Sequence, residues 1–264
     1  MTGLERTGRS DGGVALDHTS FAVHDAMDWA RLLRRLLGAT PIAGETLPEF
    51  RYLLLHVGTA EAGGRLELLE PVGPGFLTRH LDKRGEGPHH VTFTVPDLEA
   101  MVDRVRALGA TVVGETYDHP PWREAFLAPD HRHGVVVQLA QSDLAYPSAQ
   151  ELLSTRDRDT ARFPSTRGAT DPLWWTPLWD EAPQLTARLG ATHLGSTDLQ
   201  FSRRLFGDVL GGRVVEGRGF LDISWPGGSL RVHASDRPGV MGASLRGGGA
   251  DELRIGAAWL GART

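Results

Sequence analysis

Four polar side chains recur at matching places on apolar stretches: His18, Glu67, His90 and Gln138. His18 and His90 are 72 positions apart, and Glu67 and Gln138 are 71 apart. Imidazole, carboxylate and amide oxygen suit a borderline-to-hard divalent cation such as Zn, Mn, Fe, Co or Ni. A single such residue is more often a hydrogen-bonded core residue. The paired spacing nevertheless favours one divalent metal ion held by all four side chains.

A repeated unit carries these residues. Each copy begins with an alternating apolar run, at 16–23 and 89–95, and continues with a helical stretch, at 25–37 and 98–108, closed by a glycine. Extended segments follow each helix, so we predict two βαβββ modules. Because alternate residues of a strand face the same side, the four polar residues can point to a shared centre.

A third copy begins near residue 191, with His193 opposite His18 and His90. Its shared glycine and leucine align Arg231 with Glu67, and a cation does not ligate a cation. His193 with His233 is a minor alternative site, and a degenerate module is the favoured interpretation. We expect at most one strand of a fourth copy. The open edge of such a half-domain is then expected to be completed by another chain or by the linker, since unpaired edges invite association.

The segment between the second and third copies has two parts. Its first half, near 154–164, is polar and proline-flanked, which indicates a linker. Its second half contains three tryptophans: Trp174, Trp175 and Trp179. Large aromatic side chains bury well, so the tryptophans either cover one of the sheets, which is the favoured interpretation, or form part of an interface.

Composition excludes several kinds of chemistry. The 264 residues contain no cysteine, which excludes thiolate nucleophiles and iron–sulfur clusters. Lys83 is the one lysine, so P-loop mechanisms have almost no candidate residue. A net charge of −5 lacks the basic field that nucleic acid needs, so we expect no nucleic-acid partner. No apolar run is long enough to span a bilayer, and the polar start lacks a signal pattern. We therefore expect a cytoplasmic protein without a membrane partner.

Five stretches resemble a known family. They are Leu16-Asp17-His18, Leu47-Pro48-Glu49, Leu66-Glu67-Leu68-Leu69-Glu70-Pro71, Gly87-Pro88-His89-His90-Val91 and His133-Gly134-Val135-Val136-Val137-Gln138-Leu139. Together they resemble the vicinal oxygen chelate superfamily, which includes glyoxalases, extradiol dioxygenases, bleomycin resistance proteins and methylmalonyl-CoA epimerases. The similarity is closest to the epimerase-like members, across about 16–141.

The resemblance implies roles for individual residues. The family's metal positions fall on His18, Glu67, His90 and Gln138, with His89 as the nearest rival to His90. Glu49 matches a glutamate that moves a proton beside the metal in the epimerases. At the last-strand position the family's isomerases commonly have glutamate, whereas an amide cannot act as a base. The glutamine therefore also counts against an extradiol dioxygenase, unless Glu67 supplies the carboxylate.

These observations predict an α+β fold: paired βαβββ modules form a curved open sheet, and a third, degenerate βαβββ half-domain follows. The predicted division is a metal-binding domain at 14–142, a linker with the tryptophans at 143–185 and the half-domain at 186–264. We expect a metal-dependent lyase or isomerase, with Glu49 as acid/base, acting on a small substrate that has vicinal oxygens. The alternatives are a ring-cleaving dioxygenase and a non-catalytic binding or resistance protein. A homodimer is also expected.

Overall fold

The computed structural model describes residues 13–59, 61–118, 122–143, 169–182, 184–247 and 252–262. The polar part of the predicted linker, near 154–164, lies outside these ranges. The described residues form a mixed α+β fold with two open sheets of eight and seven strands, which confirms the predicted fold class. In the part of the chain that the structure describes, no helix is both long and apolar enough to cross a membrane.

The first sheet has the strand order β2-β3-β4-β1-β5-β8-β7-β6. Its strands are β1 (Ala15–Ala22), β2 (Thr40–Thr46), β3 (Phe50–Gly58), β4 (Gly63–Pro71), β5 (Gly87–Thr94), β6 (Val112–Thr116), β7 (Trp122–Leu127) and β8 (Val136–Ser142). The two central strands, β1 and β5, are antiparallel. Each is parallel to the last strand of its own module, β4 or β8. The predicted βαβββ pair is therefore present as one continuous sheet.

Among the described residues, three α-helices accompany this sheet: α1 (Ala26–Leu37), α2 (Phe76–Arg84) and α3 (Leu98–Ala107). The first and third begin at aspartate N-caps, because Asp25 accepts a hydrogen bond from the Asp28 amide and Asp97 accepts one from the Ala100 amide. Gly38 closes α1 with φ of 70°, a conformation that favours glycine. The sequence analysis did not predict α2, which connects the two modules.

The second sheet has the strand order β10-β11-β12-β9-β13-β15-β14. Its strands are β9 (Ala187–Ser196), β10 (Arg213–Gly217), β11 (Phe220–Trp225), β12 (Gly228–Ala234), β13 (Gly239–Gly247), β14 (Leu253–Ile255) and β15 (Ala258–Gly261). Between β9 and β10 lies a short helix, α4 (Leu199–Ser202), which continues as a π-helical stretch, Arg203–Val209.

The expectation that a fourth copy contributes at most one strand is wrong. Three strands, β13 to β15, follow the third module, and β13 pairs with both β9 and β15. Because these strands belong to the same chain, the half-domain is extended across β9 by its own C-terminal residues. Neither another chain nor the linker is needed for this pairing. The argument for a homodimer from an open edge at β9 therefore does not apply, and the dimer itself stays a prediction.

The two sheets share their cores. One core joins Leu16, Val91 and Phe93 of the first sheet to Trp225 of the second sheet and to Phe206 of the π-helical stretch. The Phe93 ring lies 4.9 Å from that of Trp225. A second core joins residues of β3 and β4 to residues of β13 and β15. One face of the first sheet is thus covered by helices and by the second sheet.

The tryptophans cover the edge of the first sheet, as the favoured interpretation predicted. Trp175 is buried, and its indole N–H donates to the Gly44 carbonyl at 3.1 Å. Trp179 donates to the Pro41 carbonyl at 3.1 Å. The Trp174 ring packs under the guanidinium of Arg51 at 4.2 Å. These contacts attach residues 174–179 to β2 and β3.

Candidate metal centre

The four predicted ligands lie on the four adjacent strands β4, β1, β5 and β8. Strand alternation separates them from the shared cores: Leu66, Val91 and Val137 are core residues, and each is a neighbour in sequence of a predicted ligand. His18, Glu67, His90 and Gln138 therefore occupy the opposite face of the sheet. All four are buried, with 6 to 8% of each residue exposed.

The structure brings three of these side chains together as a group that can hold a metal ion. One ligand atom from each of His18, Glu67 and His90 lies within 4.8 Å of the others. Glu67 Oε2 is 3.4 Å from His18 Nε2 and 3.7 Å from His90 Nε2. The Gln138 Oε1 atom is 3.1 Å from His90 Nε2, so the fourth side chain reaches the same group.

Other side chains hold this group in place. His18 Nδ1 lies 2.6 Å from Asp17 Oδ1, and Arg65 donates to the other oxygen of that carboxylate at 3.0 Å. The Ser20 hydroxyl donates to Glu67 Oε2 at 2.6 Å. His90 Nδ1 is 2.8 Å from Nδ1 of His89, which places His89 behind the group. Such outer partners fix the orientation of metal ligands.

The electrostatic environment attracts positive charge. Burial alone would lower the pKa of His18, but Glu67 and Asp17 outweigh it and raise the pKa to about 9. Burial would raise the pKa of Asp17, but Arg65 and His18 lower it to about 2. The pKa of Glu67 is lowered because His18 outweighs the effect of burial. The pKa of His90 falls to about 3 through burial and the adjacent His89, which favours its neutral form.

The donor set fits a divalent cation. Two imidazole nitrogens and a carboxylate oxygen converge in a buried space, and the amide oxygen of Gln138 stands beside them. His18 Nε2 is buried and has no hydrogen-bond partner among the described residues. A buried polar atom without a partner is costly, and a bound metal ion that replaces the imidazole proton would satisfy it.

Glu49 lies apart from this group. It is exposed in the turn before β3, where its carbonyl accepts hydrogen bonds from the Val72 and Gly73 amides. Its carboxylate lies against Gly75, the N-cap of α2, so closely that a Cβ added there would be 2.2 Å from Oε2. In the described ranges, no hydrogen bond or ion pair joins Glu49 to His18, Glu67 or His90.

The strand pairing of the second sheet identifies the residues at the positions equivalent to the four predicted ligands. Ser20 and Gly195 each lie two positions after the first histidine of their module. Ser20 pairs with Glu67, and Gly195 pairs with His233. His233 is therefore the counterpart of Glu67, and the alignment of Arg231 with Glu67 is wrong by two residues.

The other two places in the second sheet cannot supply a ligand. Gly239 pairs with the counterpart of Ser20 and so occupies the place of His90. Trp259 occupies the place of Gln138. Gln138 is the parallel partner of the residue that pairs with His18, and Trp259 is the parallel partner of the residue that pairs with His193. The Trp259 ring lies 4.7 Å from that of His193. These replacements favour the interpretation as a degenerate module.

Sequence reasoning missed the residues around the ligands. Ser20 and Thr92 sit on the same strand faces as the histidines, and a search for hydroxyls two residues from each would have found them. Glu124 accepts a hydrogen bond from Gln138 Nε2 at 2.7 Å across two strands. Because Glu124 is two residues before Phe126, both side chains face the same side of the sheet, and Phe126 pairs with Gln138.

The chain belongs to the Glyoxalase/Bleomycin resistance protein/Dioxygenase superfamily, whose family profile matches residues 17–126. Within it, the chain is 30% identical over 134 residues to an ethylmalonyl-CoA/methylmalonyl-CoA epimerase of Cereibacter sphaeroides, across 48% of this chain and 96% of the relative. The resemblance predicted from sequence is thereby confirmed.

The chain is also similar to two solved structures. A methylmalonyl-CoA epimerase of Streptomyces coelicolor, in complex with 2-nitronate-propionyl-CoA, is 30% identical over 48% of this chain and 94% of that chain, with a TM-score of 0.43. A hypothetical protein from Staphylococcus aureus is 10% identical but covers 94% of this chain and 97% of that chain, with a TM-score of 0.60. The second match shows the fold alone, over nearly the whole length.

Proposed function

We propose that the first sheet binds one divalent metal ion and catalyses proton transfer at a carbon next to a carbonyl group. The observation that carries this proposal is the buried group of His18, Glu67 and His90 in a chain whose relative is an epimerase. The proposed substrate class is a small carbonyl compound with two neighbouring oxygens, and a CoA thioester such as methylmalonyl-CoA is the first to test.

His18, Glu67 and His90 would hold the metal, with Gln138 as the fourth ligand. A bound divalent cation polarises a carbonyl oxygen and so acidifies the neighbouring C–H bond. Burial of the ligands keeps water from competing for them, and the outer partners Asp17 and His89 keep the imidazole nitrogens aimed at the centre. Zn, Mn, Fe, Co and Ni all suit this set.

Glu49 is the proposed acid/base. Gln138 cannot accept a proton, so a carboxylate outside the ligand set has to move it. Glu49 is exposed in the turn before β3 and stands at the N-terminus of α2, where a negative charge is favourable. The substrate would lie between Glu49 and the ligands, to which no hydrogen bond or ion pair among the described residues joins Glu49.

A second candidate function is supported by the composition of the group. Two histidines and one carboxylate with open positions are the set that non-haem iron oxygenases use, and Glu67 supplies the carboxylate that the last strand lacks. On this alternative, the site binds Fe(II) and a catechol, and the reaction is ring cleavage.

The test begins with the metal content of the purified protein and of a His18→Ala/His90→Ala variant. One equivalent in the wild type, lost in the variant, is the expected result. The loaded protein is then incubated with methylmalonyl-CoA in D₂O, where deuterium uptake at the 2-carbon supports proton transfer. Ring cleavage of catechols by the Fe(II) form, without deuterium uptake, would favour the dioxygenase. A protein that binds no metal under any loading condition would leave a non-catalytic binding protein.

A further inference from the structure

Gln138 is the one predicted ligand whose side chain ends in two different groups. Its carbonyl oxygen can bind a cation, and its NH₂ group cannot. The end that faces His90 therefore decides whether Gln138 is a ligand. Whatever holds the other end controls this choice.

Two hydrogen bonds fix the amide. Nε2 donates to Glu124 Oε2 at 2.7 Å, and the Thr92 hydroxyl donates to Oε1 at 2.7 Å. In this orientation Oε1 is 3.1 Å from His90 Nε2. A rotated amide would place its oxygen against the Glu124 carboxylate, which has no proton to donate. The carboxylate thus selects the orientation in which oxygen faces the ligands.

Glu124 is itself held in place. It lies on β7, two residues before Phe126, the strand partner of Gln138, so both side chains are on the ligand face of the sheet. The Trp122 indole N–H donates to Glu124 Oε2 at 3.0 Å. The acceptor is therefore positioned by its own strand.

The repeat offers an internal comparison. Tyr52 stands two residues before the strand partner of Glu67, as Glu124 does for Gln138. Beside the carboxylate ligand, which has no amide to orient, the chain has a phenol that donates to Glu45 at 3.2 Å. Beside the amide ligand it has an acceptor. A carboxylate acceptor at this position therefore occurs beside the amide ligand Gln138 and not beside the carboxylate ligand Glu67.

We propose that Glu124 is the positioning residue that makes Gln138 an oxygen ligand. This inference rests on the proposed metal site. The family's isomerases commonly have a carboxylate at the position of Gln138. Here Gln138 supplies an amide oxygen to the group, and Glu124 supplies a carboxylate directly behind it. The negative charge is thereby kept next to the centre.

The test measures Co²⁺ affinity by competition with a chelating dye, together with the visible spectrum of the Co²⁺ form. Four proteins are compared: wild type, Glu124→Gln, the exchange variant Glu124→Gln/Gln138→Glu, and the control Glu99→Gln on the exposed side of α3. Glu124→Gln is expected to weaken Co²⁺ binding by about 10- to 100-fold, as loss of an outer partner does, and to change the spectrum. The thermal midpoint of the metal-free variant reports its folding separately.

The exchange variant is the decisive protein. A carboxylate at position 138 ligates through either oxygen and needs no partner to orient it, so this variant is expected to recover most of the affinity lost in Glu124→Gln. A merely structural role for Glu124 would not be rescued by this exchange. Wild-type affinity and an unchanged spectrum in Glu124→Gln would overturn the positioning role while leaving the metal site intact. Absence of Co²⁺ binding in the wild type would overturn both proposals.

Discussion

The hydroxyl groups of Thr19 and Thr192 lie 2.7 Å apart in a buried contact between the two sheets. Thr19 follows His18 on β1, and Thr192 precedes His193 on β9. Because side chains alternate along a strand, the strand that presents His18 to one face presents Thr19 to the other. Strands β1 and β9 are therefore joined directly behind the candidate metal centre.

This contact predicts a non-additive pair of substitutions. Thr19→Val leaves the buried Thr192 hydroxyl without its partner, which should lower the free energy of unfolding by about 1 to 3 kcal/mol. The double variant Thr19→Val/Thr192→Val removes both hydroxyls and should recover much of that loss. Urea unfolding of the single and double variants measures the difference. Strictly additive losses would contradict the assigned contact.

The two sheets should differ in metal binding. The wild type is expected to bind one equivalent of Co²⁺, because Gly239 and Trp259 occupy two of the four ligand places in the second sheet. His18→Ala should abolish this binding, and the matched variant His193→Ala should keep it. Isothermal titration of both variants measures the stoichiometry. A second equivalent lost in His193→Ala would instead establish a site at His193 and His233.

The pH dependence of the free energy of unfolding of the metal-free protein should depend on His193. Burial, with His233 and Arg231 nearby, lowers the pKa of His193 to about 4, while Asp222 opposes this shift. Since the unfolded imidazole binds its proton at higher pH, the stabilising contribution is present above about pH 6.5. It is lost as the pH falls towards 4.

Urea unfolding between pH 4 and 8 tests this dependence. In His193→Asn the fall in stability below pH 6.5 should be less steep than in the wild type. The control, His24→Asn, changes an exposed histidine before α1 and should follow the wild-type curve. Parallel curves for wild type and His193→Asn would contradict the prediction.

A substitution at Gly75 should displace the Glu49 carboxylate while leaving the Glu49 residue itself unchanged. Gly75 has an extended backbone, with φ of −174°, that any residue adopts, so Gly75→Ala acts through the contact of its Cβ with the Glu49 carboxylate. The variant should lower deuterium exchange into methylmalonyl-CoA by about tenfold or more, as loss of a positioned acid/base does, with metal content unchanged.

A neighbouring glycine supplies the control for this experiment. A Cβ at Gly73 would meet the Pro48 carbonyl at 3.7 Å, an ordinary contact, so Gly73→Ala should exchange deuterium like the wild type. Glu49→Gln should be at least as slow as Gly75→Ala. Full exchange in Glu49→Gln would exclude this residue as the acid/base.

Much of the first sheet could be predicted from sequence because its two modules repeat with nearly constant spacing. The interval from His18 to His90 placed two ligands on equivalent strands, and alternation placed both on one face. The contacts of Glu124 and Asp17 were not predictable in this way. They depend on which residues face each other across strands, and β1 contains an irregularity between Leu16 and His18 that shifts this register.

The second sheet shows where sequence patterns were insufficient. Arg231 and His233 are two residues apart and therefore lie on the same face, so alternation cannot distinguish them as the counterpart of Glu67. Only the pairing of β12 with β9 separates them. Among the described residues, no helix lies between β13 and β14, and Gly239 and Trp259 stand at the ligand places of this fourth module. No periodic signal therefore remained to reveal β13 to β15.

The shared cores make the two halves of the chain mutually dependent. If the chain were cut after Ser142, the first sheet would expose Leu16 and Phe93 to water, since Gly228 and Trp225 of the second sheet contact them. Such a fragment would associate with itself or aggregate. The second sheet keeps histidines at two ligand places but not the full ligand set. Its role towards the first sheet is therefore that of a covalently attached subunit, which covers apolar residues.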